Sequence, residues 1–125
     1  MQKALPRIRK FHGHIGPYVL LGYRIGELSR NVIKNIRSIK IYVHDKPPQS
    51  CIIDGIQLST GCTIGNGKIK IINSRAKTKV LVFGNNSKIE ITLSNFIKQS
   101  LKKSLKLSIP IIKKANINNL LGIKN

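Results

Sequence analysis

The chain has 125 residues, a formal net charge of +19 and 41% apolar residues. That length suits one domain with one aliphatic core, and no apolar run reaches the roughly 18 residues a membrane span needs. Two cysteines are too few for a disulfide framework. The basic start lacks the apolar stretch of a secretory signal, so the expected compartment is the cytoplasm with both thiols reduced. The charge invites a nucleic-acid reading. Its 23 Lys and Arg are spread along the chain rather than gathered in one stripe. A solvated basic face, or one that meets an acidic partner, is therefore preferred over nucleic acid.

Residues 1–10, MQKALPRIRK, read as a polar lead-in in which Pro6 disfavours a helix. FHGHIGP follows at 11–17. In extended backbone, residues i and i+2 share a face, so His12 and His14 can aim two imidazoles into one pocket. Imidazole suits zinc, iron, copper or nickel. Pro17 fits the first turn of a helix running to about Asn35, with Leu20, Leu21, Ile25, Leu28 and Val32 forming its apolar stripe. Gly22 and Gly26 each cost about 1 kcal/mol relative to Ala inside a helix. They predict a close approach by a strand, another helix or a second subunit.

Residues 37–44, RSIKIYVH, alternate as a half-buried strand, with Ile39, Ile41 and Val43 inward. Pro47 and Pro48 end it. From Pro47 to Gly67 there is no Lys or Arg, which marks a segment turned inward. Cys51 opens a helix of about eight residues that gathers Ile52, Ile56 and Ser59. A thiol at a helix start lies among unpaired N–H groups, so Cys51 is expected to favour the thiolate. Gly61 turns the chain, and Cys62 is expected to point back toward Cys51 or the histidines.

Residues 68–73, 77–84 and 87–94 read as three further strands, the last two joined at Gly84-Asn85-Asn86. With 37–44 they predict a four-stranded, mostly antiparallel sheet in an α+β domain with two main helices and one short one. A helix capped by Ser94 or Asn95 carries Phe96, Ile97, Leu101 and Leu105 opposite several lysines, and Ser108-Ile109-Pro110 is expected to end it. Residues 108–125 are a tail that covers a sheet edge or reaches another subunit.

No paired carboxylates, phosphate loop, dinucleotide fingerprint or zinc-finger spacing is present. What remains is His12, His14, Cys51 and Cys62, with Asp54 between the cysteines. Two nitrogens and two sulfurs would suit tetrahedral zinc. Two other readings of the same residues are open. The thiols are inert and the histidines bonded to backbone, or Cys51 and Cys62 act as a redox dithiol.

FHGHIGP…LGYRIG at 11–26 and CIIDGIQLSTGCTIGNGKIKI at 51–71 resemble the two signatures of the FmdE family of formylmethanofuran dehydrogenase proteins, the FmdE-like domains. The resemblance extends by order of elements over residues 11–107. It implies a small α+β domain, often metal-associated and dimeric, named for association with a molybdenum or tungsten enzyme that fixes carbon dioxide onto methanofuran. It implies that His12, His14, Cys51 and Cys62 hold a divalent metal, with zinc expected. Asp54, Gln57 and Thr63 then bind around it, Asp54 by orienting an imidazole and the other two by placing a water or ligand. The family pattern has a cysteine where Gly16 stands here, and no cysteine follows Cys62 to build the zinc ribbon of longer members. A homodimer and a place in a larger oxidoreductase complex are the partners it implies. The reaction is left open, and a basic binding protein with a degenerate pocket is the competing reading.

Overall fold

A computed structural model describes residues 1–125. A single 3₁₀ turn, Gln2–Ala4, leads into α1, Leu5–His12. The expected non-helical lead-in is therefore corrected: Pro6 occupies the first turn of α1, where no backbone N–H is needed. Ala4 and Ile8 point from this segment into the core.

The next helix, α2, Pro17–Val32, is followed by β1, Ser38–Val43, and then by α3, Cys51–Thr60. Helices α2 and α3 form the tightest seam in the molecule. A methyl group at Gly22 would collide with the Ile52 carbonyl, and one at Gly26 with the Ser59 side chain. One at Gly55 would strike the backbone of Val19 and Tyr23. These pairings advance together along both helices, so α2 and α3 run parallel and start at the same end. The glycine pair in α2 thus serves a neighbouring helix rather than a second subunit.

Strands β2, Ile69–Asn73, β3, Lys79–Phe83, β4, Lys88–Leu93, and β5, Leu121–Lys124, complete a five-stranded sheet in the order β2-β1-β3-β4-β5. Strand β1 alternates as expected, with Ile39, Ile41 and Val43 buried. Strands β3 and β4 pair antiparallel through Val80 opposite Ile91 and Val82 opposite Ile89. The expected run of three sequential partners fails at β2, which pairs parallel to β1 instead. Helix α3 lies between these two strands in sequence, and a helical crossover returns the chain in the same direction. On the face away from the helices, Lys79 lies over the Tyr42 ring at 4.7 Å.

The last third departs from the sequence expectation in two places. Helix α4, Asn95–Lys103, is capped by Ser94, whose hydroxyl accepts from the Ile97 N–H at 3.2 Å. It stops at Ser104, not at Pro110. Ser104 is extended and caps α5, Leu105–Lys114, by accepting from the Leu107 N–H at 3.1 Å. Pro110 sits inside α5, where it gives up one ladder bond. After the short α6, Ile117–Leu120, strand β5 pairs antiparallel with β4. The tail covers the sheet edge, and α5 is tied to α2 by Arg24, which donates to the Ile112 and Ala115 carbonyls at 2.7 and 3.1 Å. Both features the sequence offered for a second copy are spent within one chain.

Candidate functional site

The amino ends of α2 and α3 meet the carboxyl end of α1. His12 is the last residue of α1, and Gly13 caps that helix in the left-handed region at φ 101°. This reversal swings His14 back, so the rings of His12 and His14 meet edge to face with centroids 4.7 Å apart. The two imidazoles do come together. They do so through a helix end and a glycine turn, not through the extended backbone expected for 11–17.

Asp54 lies in the first turn of α3. Its Oδ2 is 2.7 Å from His12 Nδ1. An ionised carboxylate only accepts, so Nδ1 carries the hydrogen in this pair and Nε2 keeps a lone pair in the neutral ring. The His12 side chain is only 10% exposed. Its Nε2 is the one buried side-chain nitrogen or oxygen in the molecule without a hydrogen-bond partner. Leaving such a group unpaired costs about 1–3 kcal/mol.

Gly16 belongs to the same constellation. A Cβ built there would come within 3.2 Å of His14 Cε1. A side chain at position 16 would therefore project against the second imidazole. Cys51 is half-buried in the first turn of α3, three residues before Asp54. The expected thiolate is corrected. Burial pushes the Cys51 thiol above its ordinary value, and the Asp54 carboxylate adds to the effect. The backbone groups that would have lowered it are already engaged: the N–H groups of Cys51, Ile52 and Ile53 donate to Pro48, Gln49 and Ser50.

The other expected residues lie elsewhere. Cys62 sits two residues past the end of α3, 4% exposed within the core cluster. Ten residues of helix separate the two thiols, about 15 Å along the axis. Both cysteines are free, and the dithiol pairing is not formed. Gln57 accepts from the Ile64 N–H at 2.9 Å, and Thr63 accepts from the Asn66 N–H at 2.9 Å. Both side chains pin the glycine-rich turn after α3 instead of facing the imidazoles. No three His, Cys, Asp or Glu side chains form a group able to hold a metal ion by themselves. His12 and His14, backed by Asp54, are the part of the expected set that assembles.

The molecule is thus a two-layer α+β domain with a carboxylate-backed imidazole pair at the shared end of its helices. The profile of a family described as "FmdE, Molybdenum formylmethanofuran dehydrogenase operon" matches residues 11–116, and the chain belongs to this family. A curated relative from Archaeoglobus fulgidus, called a probable S-adenosyl-L-methionine-binding protein, is 31% identical over 74 residues. That match takes in 55% of this chain and 20% of the relative, so the chain spans about a fifth of the relative's length. A crystal structure of an FmdE-like protein of tungsten formylmethanofuran dehydrogenase from Syntrophus aciditrophicus shares the fold, with a TM-score of 0.74 at 20% identity. The superposition covers 99% of this chain and 70% of the other.

The sequence reading missed a second cavity near this end, lined by Tyr18, Arg75, Lys98 and Lys102 among others. Its residues come from four separate stretches of chain, and no local motif joins them. The one signal available was the amphipathic pattern of 95–105, which marks α4 but not what faces it.

Proposed function

We propose that this chain is an accessory protein of the FmdE type that carries a divalent metal, zinc by preference, on His12 and His14, and that it works beside a larger oxidoreductase. The single observation that supports this reading is the buried, unpartnered Nε2 of His12. A neutral imidazole whose Nδ1–H is held by a carboxylate is the arrangement that orients a ring nitrogen toward a metal and raises its basicity. Asp54 supplies that carboxylate at 2.7 Å. His14, edge-on at 4.7 Å between centroids, is the second donor.

Two imidazoles leave a tetrahedral ion with further positions to fill. In the family pattern one of them falls to a cysteine at 16, and Gly16 leaves it to water, a ligand or a protein partner. When bound, such an ion supplies Lewis-acid activation of a water or carbonyl. The chain's own residues do the rest. Asp54 holds the proton on Nδ1, the Gly13 turn sets the angle between the rings, and Ile8 and the α2–α3 seam exclude water from behind. The family's operon description is what favours an oxidoreductase assembly as partner.

The test is zinc content after purification without chelator, under reducing conditions, for the unaltered chain and for His12→Ala. The expected result is close to one zinc per chain, lost in the variant. Equal zinc in both, or none in either after zinc is supplied, would sink the reading.

A further inference from the structure

A cavity of ≈ 590 Å³ opens where α4 faces the β2–β3 loop. It lies beside the first turn of α2 through Tyr18, and beside the segment entering α3 through Pro48 and Gln49. Its apolar lining is Tyr18, Leu93, Leu101 and Leu105. Leu101 is buried, and Leu93 packs against the core, so this side of the cavity is fixed by the fold.

The charged lining is of one sign. Arg75 and Lys77 come from the β2–β3 loop, and Lys98 and Lys102 from α4. No Asp or Glu lines the cavity. The only salt bridge in the protein is the His12–Asp54 pair, so none of these four cations has a carboxylate partner. Bringing four like charges to one concave surface works against folding, and a low-dielectric wall focuses their field into the opening. Nothing in the packing of α4 requires it, since α4 is anchored by Ile97 and Leu101 on its other side. The N–H groups at the start of α3 are already bonded within the chain, so the positive field here comes from side chains. Burial holds the Tyr18 phenol above its usual value, which keeps it a neutral hydrogen-bond donor at the inner wall.

We infer that this cavity binds a small amphiphilic anion, an apolar or aromatic body seated on Tyr18, Leu93 and Leu101 with its phosphate or carboxylate held between Arg75 and Lys98. The volume lies within the ordinary range of about 300–1,000 Å³ for small-molecule sites. A membrane surface is a poorer match, because a concave site with cations on two facing elements encloses a head group that a flat bilayer cannot deliver. The site does not depend on the metal reading, since neither His12 nor His14 lines it.

The probe is anilinonaphthalene sulfonate, an aromatic anion whose fluorescence rises in apolar surroundings. Lys98→Ala with Lys102→Ala is expected to weaken its binding about tenfold, as two screened charges would. Lys34→Ala with Lys68→Ala, at the far end of α3, is the charge-matched control and is expected to change it less than about twofold. Leu105→Gln, at a partly exposed position, is expected to weaken the dye several-fold by the loss of apolar contact, on the order of 1 kcal/mol converted to affinity. An aryl phosphate and an aryl carboxylate are then compared as competitors to say which anion is preferred. Inorganic phosphate should compete far less well than the aryl phosphate. Equal weakening by the two lysine pairs, or equal competition by inorganic phosphate, overturns the proposal. Far-ultraviolet circular dichroism on each variant confirms that the exposed changes leave the fold in place.

Discussion

The two ends of α3 differ in nearly every physical respect, although one ten-residue helix joins them. The amino end carries Asp54, Cys51 and the His12–His14 pair, and it holds a buried nitrogen with no partner. The carboxyl end carries a buried and unreactive setting for Cys62, with Arg30, Lys34, Arg37 and Lys68 around the adjoining hollow. There Arg30 donates to the Ser59 carbonyl at 3.1 Å, as suits the negative end of a helix. Every local polar need at the carboxyl end is met inside the chain: Gln57, Thr63 and Asn66 close the turn among themselves. The difference separates an end built to be finished by something else from an end already finished.

The comparison holds only while α2 and α3 stay locked in register. Gly22→Ala is therefore the change with the largest expected effect, about 2–4 kcal/mol of lost stability, because the new methyl meets backbone that cannot retreat. Urea unfolding measures it. An effect below about 0.5 kcal/mol, the range of a neutral surface change, would mean the seam is looser than described. Gly16→Cys comes next. It restores a thiol beside His14 at a contact of 3.2 Å, which needs only a small shift of the ring. Zinc affinity measured by competition with a chromogenic chelator should rise about tenfold or more, roughly 1.4 kcal/mol. No gain would remove position 16 from the site.

Gly61→Ala probes the finished end. The backbone there has φ 79°, and a Cβ would meet nothing within 4 Å, so only conformational strain is at stake. About 1 kcal/mol of lost stability is expected, with zinc binding unchanged. A change in zinc affinity would contradict the separation of the two ends.

The smallest expected effect is on thiol chemistry. Because burial and Asp54 raise the Cys51 thiol, its alkylation should set in at higher pH than that of a free cysteine. The sign for stability follows. The folded chain holds the proton more tightly than the unfolded one, so the Cys51 contribution is present below the ordinary thiol range and lost as pH rises through it. Asp54→Asn should shift the alkylation profile back toward lower pH, read by mass spectrometry of each cysteine peptide. A shift the other way would mean that Asp54 does not act on Cys51 through its charge.

How much of this was legible in the sequence depends on the range of the interaction that decides it. Strand β1 could be read because alternation of Ile39, Ile41 and Val43 is a local pattern. Close packing at Gly22 and Gly26 was legible for a similar reason, though which element approaches them was not. The parallel pairing of β2 with β1 was hidden, since IKIIN fits either neighbour and the choice is made by the α3 crossover. Pro6 misled because a proline in a first turn looks the same in sequence as one that blocks a helix.

At the site, the spacing of His12 and His14 suggested a shared pocket, and their rings do meet, although the geometry behind it is a helix end. The spacing of Cys51 and Cys62 suggested convergence. It instead equals one helix plus a turn, which carries the two thiols to opposite ends. The family resemblance correctly named the domain, and the long gap in charge from Pro47 to Gly67 marks both ends of α3 rather than one wall of a single site.

The most direct test is the nitrogen chemical shift of the His12 ring, read by long-range proton–nitrogen correlation before and after zinc is added. The account predicts a hydrogen on Nδ1, a bare Nε2, and a large change at Nε2 on adding zinc that Asp54→Asn weakens by about 10–100-fold in zinc concentration. A hydrogen on Nε2, with no response to zinc, would contradict it.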